Sequence, residues 1–400
     1  MFDIIIIGAG VSGLFAGAFV KKGLKTIIIE KKHNPGLKLL ISGSSQCNIT
    51  SKIPNSQFIS KYGKNGKFLI PSFNLFNNLD LIRFLKDNNI KLEFQEDKVF
   101  PKSRNSSDIL NFLLKEISKK NIDIRSDCEV KNIFKNEEIW NIEINREEVL
   151  KAKNIIVCTG GCSYPKTGSD GMFFNILKKI GLNIINLEPA LTSVDIKEHY
   201  LGDFSGFSFK NAEITILRNK KKILKKSGDL LITHTGFSGP VILNNSRNIQ
   251  NGDVIKLNII GKNQEQIKLF LKNYNKKIKD LLNEFGFSKS LTNYFIQNYK
   301  TLQFPDKVQY SSLKTIQTLI FILGELEFIV EKKQGFNKAM ITKGGVCLKD
   351  INPQTMEAKN FKNLYFAGEV IDIDGETGGY NIQAAVSTAY NAVLNICSDD

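Results

Sequence analysis

The chain is predicted to be an α/β protein organised around a dinucleotide-binding βαβ unit, with a second domain inserted into it. Three observations carry this prediction. An apolar strand, Asp3 to Ile7, runs into Gly8-Ala9-Gly10-Val11-Ser12-Gly13 and a helix, and a second apolar strand, Thr26 to Ile29, ends in Glu30. Another apolar strand, Asn154 to Val157, enters the small-residue turn Cys158-Thr159-Gly160-Gly161. Near the end, a strand at Asn363 to Phe366 passes through Ala367-Gly368-Glu369, and Thr377-Gly378-Gly379-Tyr380-Asn381 then opens a closing helix.

Each part of the first unit has a physical task. Gly8 permits a tight turn, Gly10 lets the backbone approach a pyrophosphate, and Gly13 lets helix and strand pack closely. The helix N-terminus offers unpaired N–H groups and a partial positive charge to phosphates. Glu30 stands where a carboxylate accepts hydrogen bonds from both ribose hydroxyls. A GxGxxG alone is weak, but strand, turn, helix, second strand and terminal acid in order signal a bound dinucleotide without separating NAD from FAD.

After Glu30, the loop from Lys31 to Ser51 holds Gly36, Gly43 and several hydroxyl residues. Helical periodicity returns at Leu79 to Leu85, with Asn77 or Asn78 as N-cap candidates, and again after Ser106 or Ser107. From Ile122 to Leu150 the pattern is strand-like, with a turn at Glu137-Glu138 and Trp140 at a buried position, which predicts a short meander. The chain leaves the first domain around Pro189-Ala190-Leu191 and returns near Lys338. Between these points, the first half reads as strands with glycine turns and the second, from about Gln264 to Phe321, as lysine-rich helix.

With 400 residues, two compact domains are expected, and 42% hydrophobic residues suffice for ordinary cores. No run is long and apolar enough to span a bilayer; Ile4 to Val20 lacks a basic start and is read as strand plus helix, not as a signal peptide, so a cytoplasmic location is expected. Six cysteines form no CxxC pair, and Cys158 and Cys162 suit neither a zinc knuckle nor a thioredoxin-type site. No His/Cys/Asp cluster suggests a metal. The net charge of +15 raises nucleic acid as a partner. Lysines are spread along the chain, however, and the densest run, Arg218 to Lys226, lies between two strand-like segments. A solvated hairpin turn is the preferred reading of that run, an RNA patch the lesser one; DNA is not expected.

The C-terminal text narrows the cofactor. Glycines at the start of the last helix allow backbone to lie against a flat ligand, and the helix N-terminus would sit near the pyrimidine side of a flavin, stabilising the anion of its reduced form. The alternative is a capped helix after a glycine-rich loop. Combined with the N-terminal fingerprint, FAD is the expected cofactor. No second GxGxxG follows a strand, so a separate NAD(P)H domain is not supported; the electron partner is either NADH or NADPH bound transiently, or oxygen, a quinone or another carrier.

Several blocks then resemble a known family. Gly36-Leu-Lys-Leu-Leu-Ile-Ser-Gly43, Cys47-Asn48-Ile49-Thr50, Val99-Phe100-Pro101-Lys102-Ser103, Thr159-Gly160-Gly161-Cys162-Ser163-Tyr164-Pro165, Thr233-His234-Thr235-Gly236-Phe237-Ser238-Gly239-Pro240, Gly344-Gly345-Val346, Thr355-Met356-Glu357 and Phe366 to Gln383 resemble the BaiN/YhiN-like flavoprotein family, some members of which carry the label aminoacetone oxidase family FAD-binding enzyme. The resemblance implies a Rossmann-type FAD-binding domain from 1–190 and 336–400. It implies an inserted domain from 191–335, with a β-barrel-like part (191–262) and a helical lobe (263–322). It implies bound FAD and little about substrate, one branch being linked to NADH-dependent reduction of unsaturated steroid intermediates. The chain departs from the family where glycines and an arginine usually precede the Cys-Asn pair: Ser44, Ser45 and Gln46 stand there, so no role of that arginine carries over. The glycine usual near the end of the last helix is also absent, in the region of Ala389 and Tyr390.

The candidate cofactor residues follow. Gly8, Gly10, Ser12, Gly13 and Glu30 hold pyrophosphate and adenosine ribose. Lys31 lies along the adenine edge or is simply solvated, and the backbone of Val130 meets adenine. Thr159, Gly160 and Gly161 line the nucleotide half. Lys38 is included, with Ser42, Gly43 and Asn48 nearer the ring. Gly368, Glu369 and Asp372 face the pyrophosphate and ribityl chain, an acid there being reasonable only if it binds ribityl hydroxyls or water. Gly378, Gly379, Tyr380 and Asn381 approach the isoalloxazine. For proton transfer, His234 is the first candidate, with a backbone-bonded structural histidine as its alternative. Tyr164 and Tyr380 are weaker donors. Cys47 is either a redox thiol or a buried one. His33 and His199 lack supporting context.

Three functions are carried forward: an FAD-dependent oxidoreductase acting on a small organic molecule with NAD(P)H or another carrier, an RNA-modifying flavoenzyme resting on the charge alone, and a flavin-binding sensor without turnover. The oligomeric state is open.

Overall fold

The computed structural model describes residues 1–145, 147–303 and 307–397. The chain divides into two compact units, Met1–Ala190 with Ala339–Asp400, and Leu191–Lys338.

In the first unit, five parallel strands lie in the order Phe361–Phe366, Val149–Val157, Phe2–Ile7, Thr26–Ile29 and Asp123–Arg125. Ile4, Ile5 and Ile6 are fully buried, as expected of a central strand covered on both faces. The β-branched run suits a strand because its side chains pack on the pleat at little rotamer cost. Helix Val11–Phe19 follows the first strand and packs on the last helix, Tyr380–Ile396. Phe19 meets Tyr390 edge-on at 5.1 Å, and Phe76 stacks on Tyr390 at 4.7 Å. The tyrosine standing in the region where the family glycine is missing therefore anchors an aromatic cluster, each such pair contributing about 0.5–1.5 kcal/mol beyond area burial.

The meander forms from Val130–Asn136, Ile139–Ile144 and Val149–Val157, with Trp140 buried and its Nε1 donating to Lys362 O at 3.1 Å. Asn77 caps helix Asn78–Asp87 in a capping box with Asp80. Helix Ser106–Ser118 is capped one residue earlier than expected, by Asn105. A small sheet of Thr50–Ser51, Lys98–Pro101 and Leu92–Gln95 was not anticipated. Strands Ile184–Ala190 and Ile341–Val346 pair antiparallel at the points where the chain leaves and re-enters this unit.

The second unit is a closed antiparallel barrel. Its strands run in the order Val194–Ile196, Gly236–Ser238, Lys221–Ile232, Ser208–Arg218, Val254–Asn258 and Leu326–Lys333. Helices Gln264–Lys272, Ile278–Glu284, Lys289–Asn298 and Leu313–Gly324 fall between its last two strands. Ile214, Ile216, Leu230, Ile232, Ile255 and Leu257 are fully buried in a core continuous with Leu271, Leu281, Leu291 and Leu319 of the helices. No described helix is long and apolar enough to cross a membrane.

Candidate cofactor site

Four turns leave the C-terminal ends of neighbouring parallel strands: Gly8 after Ile7, Glu30 after Ile29, Cys158 after Val157 and Ala367 after Phe366. A crevice outside these ends is where open parallel sheets bind ligands. Gly8 is left-handed (φ +101°), and a Cβ there would lie 2.6 Å from Cys158 O. A Cβ on Gly13 would overlap Gly8 O. Gly368 meets the first helix, since a Cβ there would come within 2.7 Å of Ser12 Oγ. The two ends of the chain thus meet at one helix N-terminus.

Glu30 is buried and accepts from Ala9 N and Lys32 N, each at 2.8 Å. Its own carbonyl accepts from Cys128 N at 2.9 Å, which brings the Val130 segment beside it. Lys31 is ion-paired with Asp170 at 2.7 Å, so its ammonium anchors the loop after Gly161. The Cα of Gly168 in that loop faces Lys31, Lys32 and Glu30.

Glu369 sits at the meeting point of four segments. Its Oε1 accepts from Thr342 N at 2.8 Å and Ser163 Oγ at 2.5 Å, and its Oε2 pairs with Lys38 Nζ at 2.5 Å. Lys38 Nζ also donates to Ser163 Oγ. Thr342 Oγ1 accepts from Cys162 N at 2.7 Å and Ser163 N at 3.1 Å. Gly161 is pressed against Glu369 and Thr342. The charge of Glu369 is thereby matched by a lysine of the same network. Thr342 and Ser163 were not among the sequence candidates; Ser163 lay inside a family block but carried no chemical signal of its own, and Thr342 lay in none.

Asp372 Oδ1 accepts from Gly344 N at 3.1 Å and Oδ2 from Asn65 Nδ2 at 3.0 Å; burial raises its carboxyl and these bonds oppose the rise. Ile341, Gly368, Glu369, Ile371, Ile373, Asn381 and Ala384 line a common groove. Asn381 folds back on its own loop, accepting from Gly375 N at 2.7 Å and donating to Gly375 O at 3.0 Å. Asn48, with its amide oriented to satisfy both groups, donates to Thr50 O at 2.9 Å and accepts from Gly379 N at 3.3 Å. Gly379 (φ +86°) is required by Thr50, whose Cα would lie 2.6 Å from a Cβ. The Gly378 Cα abuts the Tyr380 ring, which packs edge-on against Phe58 at 5.0 Å.

Ser42 donates to Leu39 O at 2.7 Å, and Cys47 N donates to Ser42 O at 3.1 Å. Cys47 is fully buried, and burial pushes its thiol up to about 12, which is the chemistry of a packed thiol and not of a thiolate. Gly43, Ser44, Ser45 and Cys47 all have left-handed backbone, with φ of 56°, 55°, 67° and 56°. The two serines occupy conformations that glycine adopts without cost. Tyr164 is half-buried with its phenol raised by burial. In the other unit, His234 is exposed, and its ring has no hydrogen bond among the described residues. The backbone-bonded histidine there is His199, whose Nε2 lies 3.1 Å from Thr233 O. No metal-ligating cluster occurs among the described residues.

Two features fit a dinucleotide. No side chain caps the first helix, and a Cβ on Gly10 would point into open space, a cradle left for a ligand group. Ser169 Oγ, facing Gly160, is buried without a hydrogen-bond partner among the described residues.

The family described as HI0933-like protein Rossmann domain matches residues 2–395. The chain belongs to this family. It is therefore an FAD-dependent oxidoreductase with a Rossmann-type FAD-binding domain. A relative from Escherichia coli (strain K12), named Ribosomal RNA dihydrouridine synthase, is 27% identical, over 97% of this chain and 96% of that protein. A relative from Clostridium scindens, named 3-dehydro-bile acid delta(4,6)-reductase, is 24% identical over 97% of this chain and 97% of that protein. The solved 3-ketosteroid-delta4-(5alpha)-dehydrogenase from Rhodococcus jostii RHA1 has the same fold, with a TM-score of 0.50 and 9% identity, covering 99% of this chain and 96% of that one. The reading that set RNA aside is not upheld, because a family member similar over nearly the whole chain bears the name of an enzyme acting on ribosomal RNA.

Proposed function

We propose that this flavoenzyme reduces a carbon–carbon double bond conjugated to a carbonyl, with NADH or NADPH as electron donor, and that its substrate is a uracil base in ribosomal RNA. The similarity to the Escherichia coli relative, spanning nearly the full length of both chains, carries the reading. The name of the Clostridium scindens relative describes the same class of bond, an alkene conjugated to a 3-oxo group. A net charge of +15 suits a polyanionic substrate.

When bound, FAD supplies the hydride-transferring ring. Gly8, Gly13, Glu30 and the uncapped first helix would hold its adenosine and pyrophosphate. The last helix, which also lacks a side-chain cap, would set a partial positive charge beside the reduced ring. In uracil the carbonyl-conjugated bond takes hydride at C6 and a proton at C5, while the nicotinamide donor is oxidised by one hydride. His234 is the proposed source of the proton, and Tyr164, kept protonated by burial, is the second candidate.

A free enone is the second reading, favoured by the Clostridium scindens relative. The test is incubation of the flavin-loaded protein with unmodified ribosomal RNA transcripts and NADPH, followed by mass spectrometry of the nucleosides. A gain of two hydrogens in uridine is expected. His234→Ala is expected to lower its formation about 100-fold or more without changing flavin reduction. An NADPH-reduced flavin that leaves RNA unchanged but hydrogenates a 3-oxo-4-ene steroid would replace this reading with the second one.

A further inference from the structure

We infer that the hairpin of Ser208–Arg218 and Lys221–Ile232 is a docking surface for the phosphodiester backbone of RNA, an inference that rests on the RNA reading above. From Arg218 to Lys226 the hairpin carries Arg218, Lys220, Lys221, Lys222, Lys225 and Lys226 and no acid. Two of these charges are paired with acids of the same unit: Arg218 Nε lies 2.8 Å from Asp253 Oδ1, and Lys225 Nζ lies 2.9 Å from Glu213 Oε1. Lys220, Lys221, Lys222 and Lys226 are exposed and pair with no acid among the described residues.

The register divides these charges between the two faces of the hairpin: Lys222 lies on the face of Leu217, and Lys221 and Lys226 lie on the face of Arg218 and Ile214, all of them exposed near its free end. Asn219 and Lys220, both left-handed (φ 49° and 63°), make the two-residue turn that puts Lys220 at the tip. Ile216 pairs with Leu224 and Leu217 with Lys222, so Ile223 is an extra, bulged residue. The bulge shifts the alternation and places Lys222 on the same face as Lys225, where a regular strand would have turned it to the opposite face. Lys221–Ser227 pairs with Glu213–Arg218 on one side only; the other side of the strand is covered from Gly228 onward, by Val241 and Gly239 and then by the pairing of Leu231 and Ile232 with Ser238 and Phe237. The hairpin therefore has an open, cationic edge.

Protection of an open edge against strand pairing accounts for lysine along the edge strand. It does not require a further lysine at the turn tip. Lysine ammoniums are point charges on flexible stems, which suits a polymer held through its phosphates without base readout.

The test uses the full, flavin-loaded chain and unmodified ribosomal RNA transcripts, with binding followed between about 50 and 200 mM salt. The combined Lys220→Gln, Lys221→Gln, Lys222→Gln and Lys226→Gln variant keeps a polar edge but removes four charges. Its affinity is expected to fall at least tenfold at the lowest salt, and its log–log salt slope to flatten by about 3. The matching Lys→Arg variant is expected to bind as the parent does. Flavin reduction by NADPH is expected to be unchanged in both. A Gln variant that binds RNA with the parental affinity and slope overturns the hairpin assignment while leaving the RNA reading intact. Absence of RNA binding by the parent chain overturns both. Loss of binding to phosphatidylglycerol vesicles, with RNA binding untouched, would assign the hairpin to a membrane surface instead.

Discussion

Lys38 Nζ and Glu369 Oε2 lie 2.5 Å apart although 331 residues separate them in the chain. The pair joins the loop after the second strand to the turn after the last one, and Ser163 and Thr342 complete it. Lys38→Met would leave a carboxylate with 12% side-chain exposure short of its cation. The expected result is a loss of about 1–3 kcal/mol of stability and weaker FAD retention, with Glu369→Gln less harmful because its carbonyl still accepts from Thr342 N. Urea unfolding and flavin release on dilution measure the two effects separately.

Gly10 and Gly13 are expected to fail in different ways. A methyl at Gly10 meets nothing within 4 Å, so Gly10→Ala should cost the apoprotein at most about 1 kcal/mol while displacing a phosphate. A methyl at Gly13 collides with Gly8 O, so Gly13→Ala should destabilise the apoprotein by about 3 kcal/mol. Melting temperatures with and without added FAD distinguish the two. Equal losses in the apoprotein would mean that Gly10 serves packing and not a ligand.

Ser44 and Ser45 hold left-handed backbone where the family commonly has glycine. Ser44→Gly and Ser45→Gly should each raise stability by up to about 1 kcal/mol, the relief of strain being partly offset by the greater freedom of glycine in the unfolded chain. Chemical denaturation of the holoprotein reads this out. A loss at both positions would mean that the serine hydroxyls make contacts outweighing the strain.

Cys47 and Cys158 give a dependence on alkaline pH. Burial pushes both thiols up to about 12 from their ordinary value of 9.0. Above pH 9 the unfolded chain loses these protons and the folded one keeps them, so stability falls as pH rises from about 9 to about 12. Each thiol contributes a slope of about 1.4 kcal/mol per pH unit over the part of that range where the two states differ fully. The double variant Cys47→Ala and Cys158→Ala should have a flatter stability profile than the parent above pH 9, and an identical slope would remove the thiols as the cause.

Much of the frame was legible because its signals are local. Continuous apolar runs, a glycine forced to φ +101° at Gly8 and an acid at the end of the second strand are each written within a few consecutive residues. The strands of the small sheet containing Thr50 were not legible, since two to four residues are too few to show a period. The Glu369 network was equally hidden: Cys162 and Thr342 are 180 residues apart, and neither threonine nor serine announces a partner by its type. The run Arg218 to Lys226 forms the solvated hairpin turn that the sequence predicts, but a run of like charges does not reveal which members are neutralised by Asp253 and Glu213. Only the pairing pattern separates spent charges from available ones.

The most direct measurement is a single turnover. Flavin on the purified protein is reduced anaerobically with NADPH, excess nicotinamide is removed, and unmodified ribosomal RNA transcript is added while flavin absorbance is followed. The expected result is reoxidation of the flavin with one dihydrouridine formed per flavin. Flavin that stays reduced in the presence of RNA, and is reoxidised only by a small enone, would contradict the RNA reading.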